Sequence, residues 1–293
     1  MTTLASSPER YWSSTVGPPP VWDPNEEIGN SVNMFREHSA RILTRSIASS
    51  QYWLNDTLTA AGRTNRAFIR QFRGIHRGER CVIIGNGPSL KKTNMGLLRN
   101  EHTFGLNRIY LMFDELGFET TFHVVINRHV VEQCADDFRK ISAPLFTTAP
   151  NREFLYGATN TAFLNTIVGL WPYFSRDAAR GVWEGYTVTY VAMQLAYYMG
   201  FSEVILIGVD HRFAVSGAPN QLVESTGPDA SHFDPRYFPK GFKWQLPDLE
   251  NSEVAYRLAH KAFEADGRRI VDATVDGALT IFPKATLEEA LAR

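Results

Sequence analysis

From Gly78 onward the chain alternates short apolar runs with stretches of helical spacing. The run "CVIIG" comes first, a helix is expected around Met95 to Leu98, and "TFGLNRIY" and "TTFHVVIN" follow as strands. A helix through "VVEQCADDFRKI" then leads to the strand "PLFTT". The helix "TVTYVAMQLAYYMG", the strand "EVILIGVD", the helix "SEVAYRLAHKAFEADG" and the strand "RIVDAT" complete the series. Such alternation predicts an α/β, doubly wound, mainly parallel sheet covered on both faces, a Rossmann-like domain. Ligands of these sheets bind beyond the carboxyl ends of the strands. The informative residues are therefore those just after each apolar run: Asn86, Ser89, Asn107, Asn127, Asp210 and His211.

The pattern before Gly78 is different. Residues 1–24 are rich in Ser, Pro and Trp, and the prolines of "VGPPPVWDP" exclude regular helix, so an extended arm is expected. Over 25–75, Ile28, Val32, Phe35, Ile42, Ile47, Trp53, Leu54 and Leu58 recur at loosely helical spacing. This predicts one long or two shorter amphipathic helices, packed on the main domain or on a second copy of the chain in a homo-oligomer. The main domain is expected over 76–293. Within it, 213–249 is the longest irregular stretch, dense in Pro, Gly, Asp and aromatics, which marks it as a lid loop.

Charge narrows the classes of partner. Thirty basic and 31 acidic residues nearly cancel, so no overall field favours nucleic acid or an anionic membrane, and an anionic ligand must be held locally. No apolar run approaches the roughly 18 residues of a spanning helix, so any work on lipid-linked material is expected from the membrane surface. The start "MTTLASSPERYW" lacks an apolar signal core, and Cys81 and Cys134 lie in or beside apolar segments. A reduced, cytoplasmic protein is the expectation, with peripheral association at the inner face of the membrane.

The stretch "IIGNGPSL" ends a buried strand in a turn with two glycines, Gly85 and Gly87, that let backbone approach a ligand closely. It is neither a G-x-G-x-x-G fingerprint, which would need glycine at Leu90, nor a Walker loop. Asn86, Asn107 and Asn127 stand at three successive strand ends. Asparagine offers donors and an acceptor without charge, which suits a base, a ribose or a sugar; each alone could equally be a turn residue tolerating left-handed geometry. Thr187 and Thr189 open the most regular helix, where hydroxyls and free amides can hold a phosphate, or where Thr187 simply caps. Asp210, His211 and Arg212 follow a buried strand, while Asp229, His232, Asp234 and Arg236 come from the irregular loop. These groups suit acid–base chemistry, substrate contact, a divalent metal or structural hydrogen bonding. Their spacing is not a zinc signature, and G-x-S-x-G is absent.

With "IIGNGPSL", "FGLNRIYL", "VVIN", "TVTYVAMQLAYYMGFSEVILIGVD" and "SHFDPRYF" in this order, the chain resembles the 6-hydroxymethylpterin diphosphokinase MptE-like family. It is also similar to the family 42 sialyltransferases and the flagellin nonulosonic acid transferases, over about residues 78–275. In the sialyltransferases the equivalent turn and the asparagine after the next strand hold the cytidine nucleotide of a CMP-activated sugar acid. The resemblance thus implies nucleotide contacts from Gly85, Asn86, Gly87, Ser89 and Asn107, with Asn127 at a third such position. Thr187, Val188 and Thr189 match only in part a Thr/Ser-Gly segment that touches the nucleotide there. The base in those enzymes is a histidine a few residues beyond a Ser-His-aromatic triplet. Ser231-His232-Phe233 matches the triplet, no histidine follows in the loop, and His232 is taken as the base, with Tyr237 as a lid tyrosine steadying the phosphate. His211 and Asp210 are the alternative acid–base groups.

What the resemblance implies is a glycosyltransferase, sialyltransferase-like, with no metal and no cofactor beyond a nucleotide-sugar donor. Its partners would be that donor and a glycan or glycoconjugate acceptor in surface polysaccharide synthesis. The rival within the fold is a pterin-type pyrophosphokinase using ATP and magnesium. Those kinases usually carry acidic residues after the second and third strands, where asparagines stand here, and magnesium binding normally needs a carboxylate. A non-catalytic nucleotide-sugar binder is the alternative of a different class.

Overall fold

The computed structural model describes residues 46–292, apart from 48, 169–171 and 215–216. The expected arm over 1–24 and the part of the helical extension over 25–45 lie outside the described residues. Seven strands form one parallel sheet: β1 (Arg80–Ile84), β2 (His102–Leu106), β3 (Phe122–Val124), β4 (Leu145–Thr148), β5 (Thr161–Leu164), β6 (Glu203–Ile207) and β9 (Arg269–Asp272). Their order is β5-β4-β3-β2-β1-β6-β9. The remaining pair, β7 (Leu222–Glu224) and β8 (Lys243–Gln245), is an antiparallel hairpin inside the expected lid loop. The helices are α1, described over 49–58, α2 (Ala60–Gln71), α3 (Phe113–Leu116), α4 (Arg128–Gln133), α5 (Ala135–Phe138), α6 (Val188–Met199), α7 (Leu249–Glu264) and α8 (Leu287–Leu291). The doubly wound α/β fold expected from the alternation is present. None of the described helices is long and apolar enough to cross a membrane.

Alternate residues of each strand serve opposite faces, which builds two apolar layers. Cys81, Ile83, Phe104, Leu106 and Phe146 pack with α6, α7 and the Ile69 and Phe72 side chains on one face. Val82, Ile84, Ile205 and Ile207 pack with Leu90, Leu98, Phe138 and Leu287 on the other. Helix α6 is buried from Thr189 to Met199, which is why its sequence is apolar all round, and Gly200, with φ +95°, ends it in a left-handed cap. The strand order reverses between β1 and β6, where such folds open a crevice.

Several elements differ from expectation. The expected helix at 95–98 is a 3-10 turn, and the helix through 130–141 is two short pieces broken at Cys134. Strand β5 was not foreseen, because four residues of "TAFL" between polar neighbours carry little periodicity. In the segment before β1 the apolar residues divide. Ile47, Trp53, Leu54 and Leu58, expected on an apolar face packed on the main domain or on a second copy, are 53%, 47%, 46% and 69% exposed in the single chain. Farther along, Ile69 and Phe72 pack in the core, and polar groups add to this docking. The Asn65 side chain donates from Nδ2 to the Phe163 carbonyl at 2.9 Å and accepts from the Phe163 amide at 2.9 Å, so it closes the open edge of β5 as another strand would. Asp56, buried beneath, accepts from Asn165 at 3.0 Å and pairs with Arg152 at 3.5 Å, while burial pushes its carboxyl pKa up.

Replacing Asn65 with Leu keeps the volume but strands both Phe163 backbone groups in a buried site. Unfolding in urea is expected to show a loss of about 2–4 kcal/mol. A change under about 0.5 kcal/mol, the range of ordinary surface substitutions, would mean that the edge does not depend on this amide.

Candidate functional site

The turns after β1 and β6 lie against each other at the reversal of strand order. A Cβ on Gly85 would come 2.2 Å from the Gly208 carbonyl oxygen, and one on Gly87 would come 1.8 Å from Asp210 Oδ2. Gly85 is therefore required by the close approach of backbone, and Gly87 leaves room for the Asp210 carboxylate. Asp210 fills the space they leave: its carboxylate accepts from the Ser89 amide at 3.1 Å and the Ser89 hydroxyl at 2.6 Å. Ser89 thus turns to Asp210, and Pro88–Lys92 is only a 3-10 turn. Asp210, a candidate acid–base group, holds the turn.

Two adjoining cavities of about 370 and 150 Å³ open beyond these strand ends. Asn107, Thr187, Phe213, His232 and Tyr237 line both. Gly85, Asn86, Gly87, Thr189, Asp210 and His211 border the smaller one, and Asn127, Asn151 and Trp244 the larger. Of the sequence-selected residues, Ser89, Asp229, Asp234 and Arg236 are not on the lining.

The floor is uncharged. Asn86 gives its carbonyl to the Phe233 amide at 2.9 Å, and its Oδ1 is buried with no hydrogen-bond partner. Asn107 has φ +46°, a conformation that asparagine tolerates. Its amide donates to the Val124 carbonyl at 2.9 Å and its own carbonyl accepts from His123 Nε2 at 2.7 Å, leaving Oδ1 buried and without a partner. His123 is fully buried, and burial lowers its pKa to about 4, so it is neutral and donates from Nε2. Asn151 adds a third such acceptor: its Nδ2 donates to the Ile126 carbonyl at 3.1 Å and to Thr147 at 2.9 Å, while Oδ1 has no partner. Asn127 differs, because its Oδ1 caps α4 by accepting from the His129 and Val130 amides at 3.0 and 3.3 Å. Thr187 likewise caps α6, accepting from the Thr189 amide at 3.3 Å, and its hydroxyl lies 3.4 Å from the Tyr256 phenol.

The segment 213–249 is packed over this floor by buried Phe233, Tyr237, Phe238, Phe242, Trp244 and Leu246. Arg108 anchors it, donating to the carbonyls of Arg236, at 3.0 Å, and Tyr237. The His232 ring stacks on Tyr237 with centroids 3.9 Å apart and planes 12° apart. Its Nδ1 lies 2.7 Å from Asp229 Oδ2, and Asp229 also accepts from the Ser231 amide at 2.7 Å. The carboxylate orients the imidazole and leaves Nε2 for a substrate. His211, with φ +56°, pairs through Nε2 with Glu253 at 3.2 Å. Burial pushes the Tyr237 phenol pKa up. Arg108, His123 and Asn151 escaped sequence reasoning as site residues, whereas Asp229 was among the candidates of the irregular loop. Arg108 directly follows Asn107 at a strand end, the one position rule that could have flagged it.

A family model described as 6-hydroxymethylpterin diphosphokinase MptE-like matches residues 56–216. Among solved structures, the MAf glycosyltransferase from Magnetospirillum magneticum AMB-1 is similar at 13% identity and a TM-score of 0.46. The match covers 78% of this chain and 38% of that one, so the chain spans well under half of it, and at this distance the likeness assigns no activity. No curated protein matches.

His123 makes the floor sensitive to acid. Its folded pKa, about 4, lies below the ordinary 6.5, so its contribution to stability is full above pH 6.5 and is lost as pH falls towards 4. Between pH 7 and pH 5 the loss from this group is expected to be about 2 kcal/mol. His123→Gln keeps a donor for Asn107 and should flatten that part of the profile. Parallel profiles in denaturant unfolding would contradict the assignment.

Proposed function

The chain belongs to the 6-hydroxymethylpterin diphosphokinase MptE-like family, and from that premise we propose that it is a glycosyltransferase whose donor is a CMP-linked acidic sugar. The observation that carries this reading is one cleft that joins buried, unpartnered amide oxygens to an imidazole oriented by a carboxylate. Acceptors buried without partners are costly until a ligand donates to them. The Asn86 and Asn107 oxygens suit an exocyclic amino group such as that of cytosine, and Asn151 suits hydroxyls of the sugar.

The charged groups also favour this reading over a magnesium–ATP one. The cleft carboxylates already have partners: Asp210 holds Ser89, Asp229 holds His232, and Asp248 accepts from the Asn251 amide at 3.1 Å and from Asn220 at 3.3 Å. Among the described residues, no group of three metal-ligating side chains gathers at the cleft.

In the proposed reaction, His232 Nε2 takes the proton of an acceptor hydroxyl as that oxygen attacks the anomeric carbon. The bond from that carbon to the nucleotide phosphate oxygen breaks, and the departing phosphate is stabilised by the Thr187 hydroxyl and the positive end of the α6 dipole. Asp229 then steadies the imidazolium. The stacked Tyr237 ring and the aromatic layer of 213–249 keep water from the donor.

Calorimetry with CMP, UDP, GDP and ATP, each with and without magnesium, tests the donor class. CMP is expected to bind without added metal, and Asn86→Ala to weaken it about five- to 150-fold through lost hydrogen bonds of roughly 1–3 kcal/mol. Binding of ATP alone, and only with magnesium, would replace this reading with the pyrophosphokinase.

The catalytic role is separable. His232→Ala is expected to lower transfer, followed as CMP released in the presence of acceptor, by about 10² to 10⁴ with CMP affinity nearly unchanged. His211→Ala, bordering only the smaller cavity, should weaken CMP as well. Turnover within a few-fold of the parent in the His232 variant would remove it as the base.

A further inference from the structure

A second cluster of ligating side chains lies at the opposite end of the same strands. His76 sits in the turn between α2 and β1, Glu79 immediately precedes β1, and His102 opens β2. His76 Nδ1 and His102 Nε2 each lie 2.8 Å from Glu79 Oε2, and the three atoms all fall within 4.8 Å of one another. We propose that His76, Glu79 and His102 form a binding site for a divalent transition-metal ion of the zinc class, with solvent completing its shell.

The donor set fits that chemistry. Two neutral imidazoles and one carboxylate are borderline ligands that suit zinc, whereas calcium and magnesium prefer oxygen alone. Zinc bonds of 2.0–2.2 Å in tetrahedral geometry put ligand atoms about 3.3 Å apart, so each 2.8 Å contact has to open by about half an ångström. The Glu79 side chain, 49% exposed, has room for that movement.

The scaffold is already fixed. The His76 amide donates to the Met199 carbonyl at 2.9 Å, and the Glu79 carbonyl accepts from the Ser202 amide at 2.8 Å. The His76 ring stacks on Phe201 with centroids 4.7 Å apart and planes 15° apart, and the two imidazoles lie 4.1 Å apart. His102 is held by the β1–β2 register, opposite Cys81. An ion here would tie the turn before β1 to the starts of β1 and β2. The five-residue strands put it roughly 15 Å from the cleft, so its effect is on stability and not on the reaction. The proposal is independent of the glycosyltransferase reading.

The test uses full-length protein freed of its affinity tag and stripped with chelator. Zinc chloride is titrated against a chromogenic chelator, with thermal unfolding in parallel. One equivalent should bind and raise the melting temperature. Loss of an outer partner of a metal ligand typically costs 10–100-fold in affinity, so losing a ligand in His102→Ala or Glu79→Gln should cost more than about 100-fold. His260→Ala is the control, since His260 pairs with Glu264 at 3.3 Å but has no third ligand. If His102→Ala does not fold, Glu79→Gln, at a partly exposed side chain, decides the comparison. A parent that takes up no zinc at micromolar concentration, or variants that bind as the parent does, would leave only a hydrogen-bonded cluster and overturn the site.

Discussion

The site depends on how closely two parallel strands can bring the turns that leave them. At the β1–β6 reversal the backbone after Ile84 meets the backbone after Ile207, and side-chain atoms at Gly85 or Gly87 would collide with Gly208 or Asp210. Gly208 itself has φ +66°, and a Cβ there would come 2.7 Å from Leu90. The meeting of bare backbone lets Asp210 reach across and bind Ser89 by two hydrogen bonds. That lock fixes the Asn86 backbone, whose carbonyl in turn holds the covering segment through Phe233. Strand packing, the turn and the cover are one continuous set of contacts.

This constraint separates what the sequence could reveal from what it could not. Strand ends are readable because apolar runs stop there, so Asn86, Asn107, Thr187 and His211 could be placed near one another from topology alone. The purpose of the glycines was not readable. Close approach to a ligand and close approach to β6 demand the same residue, and only the tertiary neighbour tells them apart. Arg108 and His123 act through partners 128 or 129 and 16 residues away in sequence, relations that no local pattern encodes. The docking of α2 was readable only in part: periodicity counts apolar side chains such as Ile69, whereas Asn65 docks by copying the hydrogen bonds of a strand.

Two imidazole–carboxylate pairs face one cleft, and their surroundings distinguish them. His211 sits in left-handed backbone and gives Nε2 to Glu253, and it borders the smaller cavity. His232 gives Nδ1 to Asp229, lies flat on Tyr237, and borders both cavities. A base must meet donor and acceptor together, so the ring at the junction is the better placed. Its rotation is limited on two sides, by a hydrogen bond in the plane and a stacked ring on the face. Arg108 secures that stack from beneath by binding the Tyr237 carbonyl.

The floor of the cleft carries its specificity in unmet hydrogen bonds. Asn86, Asn107 and Asn151 each present a buried amide oxygen without a donor, and the Asn151 amide is held in place by its Nδ2 bonds to Ile126 and Thr147. Leaving such groups unpaired costs stability in the free protein, and a ligand bearing N–H or O–H groups recovers that cost on binding. The same floor disfavours a phosphate, which offers only acceptors at neutral pH, so in the proposed reading the anionic part of a ligand is directed to the positive end of the α6 dipole. In the proposed reading, a nucleoside over the asparagines with its phosphate at the helix start satisfies both ends at once and brings the bond beyond the phosphate towards His232.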